Sequence, residues 1–146
     1  VALAEPTTCR ARHGDVAQPV LDTGPLRVVP GPHLPIAPLT ARVLDCSRIG
    51  VRIRVPRRRR VDASASLPSL GVVPGTIQAL PAGDWVILGP DAGTMGGYPV
   101  VGVVASADFG RVGQLEPGQS VRLSPAASDA LPGPRRARLL RLGALG

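Results

Sequence analysis

Short apolar runs punctuated by glycine and proline dominate this chain, and their period is that of strands. Leu26 to Pro30 (LRVVP) predicts a strand closed by the Pro30-Gly31-Pro32 turn. Ala41 to Asp45 and Val51 to Val55 predict two more, connected by Ser47 to Gly50. The second of these, VRIRV, alternates apolar residues with arginine, which places Val51, Ile53 and Val55 inward on a half-buried strand. Thr76 to Leu80 and Trp85 to Leu88 follow, joined through Pro81-Ala82-Gly83-Asp84 as a hairpin-like turn. Tyr98 to Ala105 (YPVVGVVA) is a near-continuous apolar run, the pattern of a strand buried on both faces.

Ser106 and Asp108 offer N-cap oxygens for one short helix, Phe109 to Leu115. Glu116-Pro117-Gly118-Gln119 then reads as a turn, and Ser120 to Leu123 as a last strand. The sum is mainly β with one short helix, expected to be a small barrel or a partial barrel. Pro6, Pro19 and Pro25 break any periodicity over residues 1–25, which read as a linker or a disordered edge. Residues 26–124 form the β domain, interrupted by a loop from Arg57 to Leu70 that opens on four arginines. Residues 125–146 are a basic tail, weakly helical at its Arg/Leu-rich end and expected to fray.

Composition sharpens this picture. A chain of 146 residues holds one domain with a real core, yet it has one Phe, one Trp and one Tyr. The core is therefore expected to be Val, Leu, Ile and Ala. Glycine and proline together are 18 + 17 = 35 residues, a share at which disorder competes with folding, so loose ends around an ordered centre are predicted. All 17 basic residues are arginine. Without lysine the chain has no Walker A phosphate loop and no Schiff-base nucleophile. Nor can it carry biotin itself.

The net charge of +7 sits mostly in the first 60 residues, which hold 11 arginines against 4 acids. The run Arg57 to Arg60 has no interleaved aromatics for base stacking, so a nucleic-acid partner is not expected. Cys9 and Cys46 make no framework; a single disulfide is conceivable, but free thiols in a reducing cytoplasm are the favoured reading. No run of about 18 apolar residues exists to span a membrane. The start lacks the basic head and apolar run of a secretory signal, and a cytoplasmic location is expected. It begins with Val1, which points to an alternative start codon or a fragment.

The best site candidate from chemistry is Gly93-Thr94-Met95-Gly96-Gly97-Tyr98, within a glycine-rich loop from Gly89 to Gly97. Bare backbone N–H groups there can approach an anion, with hydroxyls from Thr94 and Tyr98 and a carboxylate from Asp91. The plain alternative is a tight loop in which glycine supplies positive φ. Arg48 and Arg52 flank a turn, where a guanidinium can clamp a carboxylate or phosphate; solvated surface charge is the competing reading. Asp84, Asp91 and Asp108 fall at loop or strand ends, where turn and cap roles outweigh acid–base work. His13 and His33 lack the rigid setting of a catalytic base, and Cys9, His13, His33 and Cys46 lack the spacing of a zinc site. No metal is expected.

Five segments in order carry a resemblance. They are Leu26-Arg27-Val28-Val29-Pro30-Gly31-Pro32, Ser47-Arg48-Ile49-Gly50-Val51-Arg52, Gly71-Val72-Val73-Pro74-Gly75-Thr76-Ile77-Gln78, Gly96-Gly97-Tyr98-Pro99, and the run Ala107 to Leu123. Together they resemble the C-terminal part of the KipA / allophanate hydrolase subunit 2 family. That family includes one of the component proteins of 5-oxoprolinase and the carboxyltransferase domain of urea carboxylase. The resemblance implies a cyclophilin-like β-barrel that acts on a small amide together with a partner, either a KipI-like protein or its counterpart in the 5-oxoprolinase complex.

The main reading it implies is a component or fragment of an ATP-dependent 5-oxoprolinase, opening the lactam of 5-oxoproline to glutamate, with ATP bound by the complex. The alternatives are a biotin-dependent carboxyltransferase domain of the urea carboxylase/allophanate pathway, with biotin on a separate carrier, or a non-catalytic KipA-like regulatory remnant. Catalytic residues stay unassigned. By position, the implied substrate wall is Asp91, Thr94, Gly96, Gly97 and Tyr98, with Ser47 and Arg48 as anion contacts and Gln78 as an amide partner. The chain departs from the family pattern at Ser69-Leu70-Gly71, where an acidic residue is usual, and at Ala92, Gly93 and Met95. It is also about half the family's usual length, which leaves its apolar strands short of cover.

Overall fold

Alternation along the strands decides the architecture. The computed structural model describes residues 24–57 and 67–126. Their elements are β1 (Leu26–Pro30), β2 (Leu39–Cys46), β3 (Gly50–Arg54), β4 (Leu70–Gly71), β5 (Thr76–Ala79), β6 (Trp85–Leu88), β7 (Met95–Gly96), β8 (Val100–Val104), α1 (Phe109–Val112) and β9 (Ser120–Pro125). Seven strands close into a barrel in the order β1-β8-β5-β6-β3-β2-β9, and β4 pairs with β7 as a separate two-stranded ribbon. Every neighbouring pair in the barrel is antiparallel except β1 and β9, where Leu26 lies opposite Leu123.

The mainly β chain with one short helix matches the expected cyclophilin-like barrel. It corrects the expectation that the barrel is partial. Leu26 and Val28 of β1 and Val121 and Leu123 of β9 all point into one core. Pairing those two strands removes both sheet edges at once. The apolar strands therefore cover one another within the described residues.

The core is built as the composition requires, from Val, Leu, Ile and Ala, with Trp85 as its one large aromatic. Ile53, Ile77 and Ile87 are fully buried, each contributing roughly 1.5–3 kcal/mol relative to exposure. At one end of the barrel α1 inserts Val112 into the core. At the other, Leu34 and Ile36 of the β1–β2 connection pack against it. That connection is tied to β8 by Gly31 N–H donating to the Val101 carbonyl and by Val100 N–H donating to His33 Nδ1. His33 therefore serves as a structural acceptor through Nδ1.

The strand expectations over β1 and β6 match residue for residue, and the others shift by a residue or two at their ends. Two local expectations change. The helix ends at Val112, one turn long, and the Asp108 side chain makes no cap bond. Its carboxylate goes to Arg27 instead, accepting from the Arg27 backbone N–H and from both Nε and Nη2. The expected linker up to residue 23, the run of arginines beyond Arg57 and the tail beyond Ala126 lie outside the described residues, as do Cys9 and His13. Cys46 is a free, exposed thiol whose pKa is raised by burial first, then by the Asp45 and Glu116 carboxylates. Among the described residues no helix is long and apolar enough to cross a membrane.

Candidate functional site

The glycine-rich loop after β6 is fixed by the turn between β2 and β3. Gly89 N–H donates to the Ile49 carbonyl at 2.8 Å, and Asp91 N–H to the Arg48 carbonyl at 3.1 Å. The approach is so close that a Cβ at Gly89 would lie 2.9 Å from the Arg48 carbonyl carbon. Glycine is needed there for proximity. Positive φ plays no part, since Gly75, Gly83 and Gly118 are the described glycines that adopt it and none lies between Gly89 and Gly97. This corrects the plain reading of the loop.

Three of the expected site residues meet at this end of the barrel. Ser47 closes its own turn: its hydroxyl donates to the Gly50 carbonyl and accepts from the Gly50 N–H. Arg48 reaches across to Asp91 and donates from Nε and Nη2 to its two carboxylate oxygens. The hydrogen bonds from Arg48 hold the Asp91 carboxyl below its usual range, and the same bonds raise the Arg48 guanidinium. Both side chains are well exposed, so the pair contributes little to stability but presents a fixed charge pattern to solvent. Beside it lies a shallow apolar cavity of about 190 Å³ lined by Ser47, Val51, Gly89 and Pro90 and, from the α1 end, by Phe109, Gly110, Val112 and Gly113.

A second group gathers on the outer wall of β5. Ile77 and Ala79 face the core, so Gln78 faces outward, yet it is only 4% exposed because β7 covers it. Its amide Nε2 donates to the Tyr98 carbonyl at 3.5 Å. Gly96 lies directly over that amide, with the Gln78 Cδ and Oε1 each 3.3 Å from where a Cβ would sit. The ribbon is pinned by Val72 N–H donating to the Thr94 carbonyl. Met95 and Tyr98 stand exposed on this side, at 62% and 44%.

The eight expected residues thus form two clusters. Ser47, Arg48 and Asp91 meet on the loops where β2 and β6 end. Gln78, Gly96, Gly97 and Tyr98 meet on the β5 wall toward the opposite end, and Thr94 stands between them on the chain. Sequence reasoning missed the dependence of the first cluster on Gly89 and the burial of Gln78. The signal for the second was present, since Gln78 interrupts an otherwise apolar strand and two adjacent glycines lie downstream. Arg52, for which an anion clamp and solvated surface charge were the two readings, donates to Asp45 across the β2–β3 pair and stays exposed.

Gly96→Ala should cost about 1–3 kcal/mol, because the added methyl meets the buried Gln78 amide, which must shift from the Tyr98 carbonyl to admit it. Thermal unfolding of Gly96→Ala, Gln78→Ala and the double variant checks this. A smaller loss from Gly96→Ala in the Gln78→Ala background is expected; equal losses in both backgrounds would mean the two residues are not in packing contact.

Comparison with known proteins adds three findings. The family model described as "Carboxyltransferase domain, subdomain A and B" matches residues 4–125. Solved structures with the same fold include TTHA0988, at 26% identity and a TM-score of 0.59, over 75% of this chain and 22% of that one. They also include the K. lactis urea amidolyase and the Kluyveromyces lactis urea carboxylase, each at 25% identity and a TM-score of 0.59 over 71% of this chain. This chain covers 7% of the amidolyase and 11% of the carboxylase, so it spans less than a quarter of each of these chains. No curated protein matches it.

Proposed function

Because the chain belongs to the family of the carboxyltransferase domain, subdomain A and B, we propose that it is one barrel of a biotin-dependent carboxyltransferase acting on a small amide of the urea type. The observation that carries this reading is the family match over residues 4–125, together with the likeness to two urea-metabolising enzymes. Carboxyl transfer to an amide nitrogen passes through a centre with developing negative charge, which suits guanidinium and backbone donors. Arg48 would contribute charge at one rim. The Gln78 amide would act from beneath the glycine ribbon, holding the Tyr98 loop in place.

Biotin, on a separate carrier, would supply the carboxyl group. The residues of this chain do not by themselves fit that group. The anion contacts and the amide partner fall in separate clusters, Arg48 is already paired with Asp91, and the cavity beside it is apolar and shallow. No step through biotin is therefore assigned to a side chain. The chain is read as one wall of a site that further protein completes.

The test uses the full chain with its native partner proteins and a carboxylated carrier. Urea-dependent discharge of the carboxylated carrier is expected, falling about tenfold or more in Arg48→Gln if that guanidinium contacts developing charge. Absence of discharge, with 5-oxoproline-dependent ATP hydrolysis by the same assembly, would transfer the chain to the 5-oxoprolinase reading. Partner binding without either turnover would make it a regulatory remnant.

A further inference from the structure

Where β1 stops, β8 continues. Pro30 stands opposite Gly102, so Val101 and Val100 extend beyond the last β1 pair. The β1–β2 connection takes over there. Gly31 N–H donates to the Val101 carbonyl at 2.8 Å, and His33 N–H to the Val100 carbonyl at 3.3 Å. The Val100 N–H is met by a side chain instead, donating to His33 Nδ1 at 3.0 Å. Val100 is buried, so leaving that donor without a partner is costly. Pro99 has no N–H, which makes Val100 the first residue after Tyr98 that can be tied in this way. Val100 is also the register partner of Gln78. His33 thus holds the strand entry that carries the cluster of Gln78, Gly96, Gly97 and Tyr98.

We propose that His33 is a positioning residue that works as a proton-operated latch, fixing the Gly96–Tyr98 segment while its imidazole is neutral and releasing it once the ring is protonated. The bond needs a lone pair. A backbone N–H can only donate, so Nδ1 accepts, whereas a protonated imidazole carries donors at both nitrogens. A proton and the Val100 N–H therefore compete for Nδ1. Imidazole is the side chain that changes charge between about pH 5 and 8. The His33 ring is half-buried, within reach of solvent, and makes no other hydrogen bond or ion pair among the described residues.

No neighbouring carboxylate offsets the added charge. The rest of the connection (residues 31–38), β8 and β5 carry no titratable or charged side chain. The 93–99 loop brings Tyr98, and β1 brings Arg27, which Asp108 engages at the strand's other end. Arg42 and Asp45 lie further along β2, and Asp45 is held by Arg52. An imidazolium would set donor against donor at Val100, and the connection must swing aside to relieve it. The device acts on the loop itself and holds whichever amide the family site takes.

Met95 is the chain's one methionine and stands exposed beside Gly96, so a 13C-methyl label there reports on the loop. In the full chain, the Met95 methyl and Val100 amide shifts should titrate between about pH 8 and 5 with the same midpoint as the His33 ring. Val100 amide exchange, corrected for its intrinsic pH dependence, should rise about tenfold over that range. His33→Asn keeps an acceptor oxygen near the Nδ1 position and cannot be protonated, so it should show the fixed loop throughout. His33→Ala should show the released loop at every pH. A His33 ring that titrates without moving Met95 would overturn the proposal, as would a Met95 titration that survives in His33→Asn. So would a ring that stays neutral down to about pH 5, since the latch would then never open in the range where imidazole ordinarily titrates.

Discussion

Gly89→Val is expected to cost about 3 kcal/mol or more and to lower the melting temperature by roughly 15 °C. The reason is backbone against backbone. The Cβ would meet the Arg48 carbonyl and lie 3.0 Å from the Ile49 carbonyl carbon, and neither can rotate away as a side chain could. Relief requires the β2–β3 turn and the post-β6 loop to separate. Separation breaks the Gly89-to-Ile49 and Asp91-to-Arg48 backbone bonds, and with them the register that holds Arg48 against Asp91. Gly93→Ala in the same loop is the control. Its nearest neighbour would be the Met95 carbonyl at 3.8 Å, an ordinary contact, and its φ is not positive. That substitution should be neutral or stabilise by up to about 1 kcal/mol through the unfolded chain. Thermal unfolding of both variants decides the matter. If Gly89→Val melts with Gly93→Ala, the loop is not held by close approach, and the cluster at Arg48 is less fixed than its hydrogen bonds indicate.

The contrast between those two glycines shows where sequence reading runs out. Strand alternation is a local property, so Val51, Ile53 and Val55 could be placed inward and β1 and β6 delimited from pattern alone. Closure is not local. It depends on β1 meeting β9 across nearly the whole described chain, and the local pattern of either strand says nothing of that parallel seam. The glycines of the 89–97 loop look alike in sequence, and only the three-dimensional approach of the Arg48 backbone to Gly89 and of the Gln78 side chain to Gly96 separates those two from Gly93. Gln78 was legible as a residue out of place in an apolar strand, but its burial under β7 was not. Asp108 shows the same limit from another side. Its position before a short helix argues for a cap, because capping is what the local chain can offer. Arg27, 81 residues away in sequence, outcompetes the helix for the carboxylate because it presents three donors.

Removing that carboxylate should be felt across the end of the barrel where β1 begins. Asp108 is 3% exposed and ties the first turn of α1 to β1 through Arg27, while Arg111 reaches back to the Pro25 and Gly24 carbonyls. Asp108→Asn keeps the shape and one acceptor but loses the charge, and is expected to cost about 1.5–3 kcal/mol at neutral pH. The hydrogen bonds from Arg27 hold the Asp108 carboxyl below its ordinary value of 3.8. A carboxyl lowered on folding contributes its stability in full above that ordinary value and loses it progressively as the pH falls through the folded one. The stability gap between parent and Asp108→Asn should therefore be flat from neutral pH down to about pH 5 and close only at lower pH. Urea unfolding at a series of pH values measures the gap directly. A gap that persists unchanged to about pH 2.5 would mean the loss is one of packing around α1, and that the charge of Asp108 contributes nothing of its own.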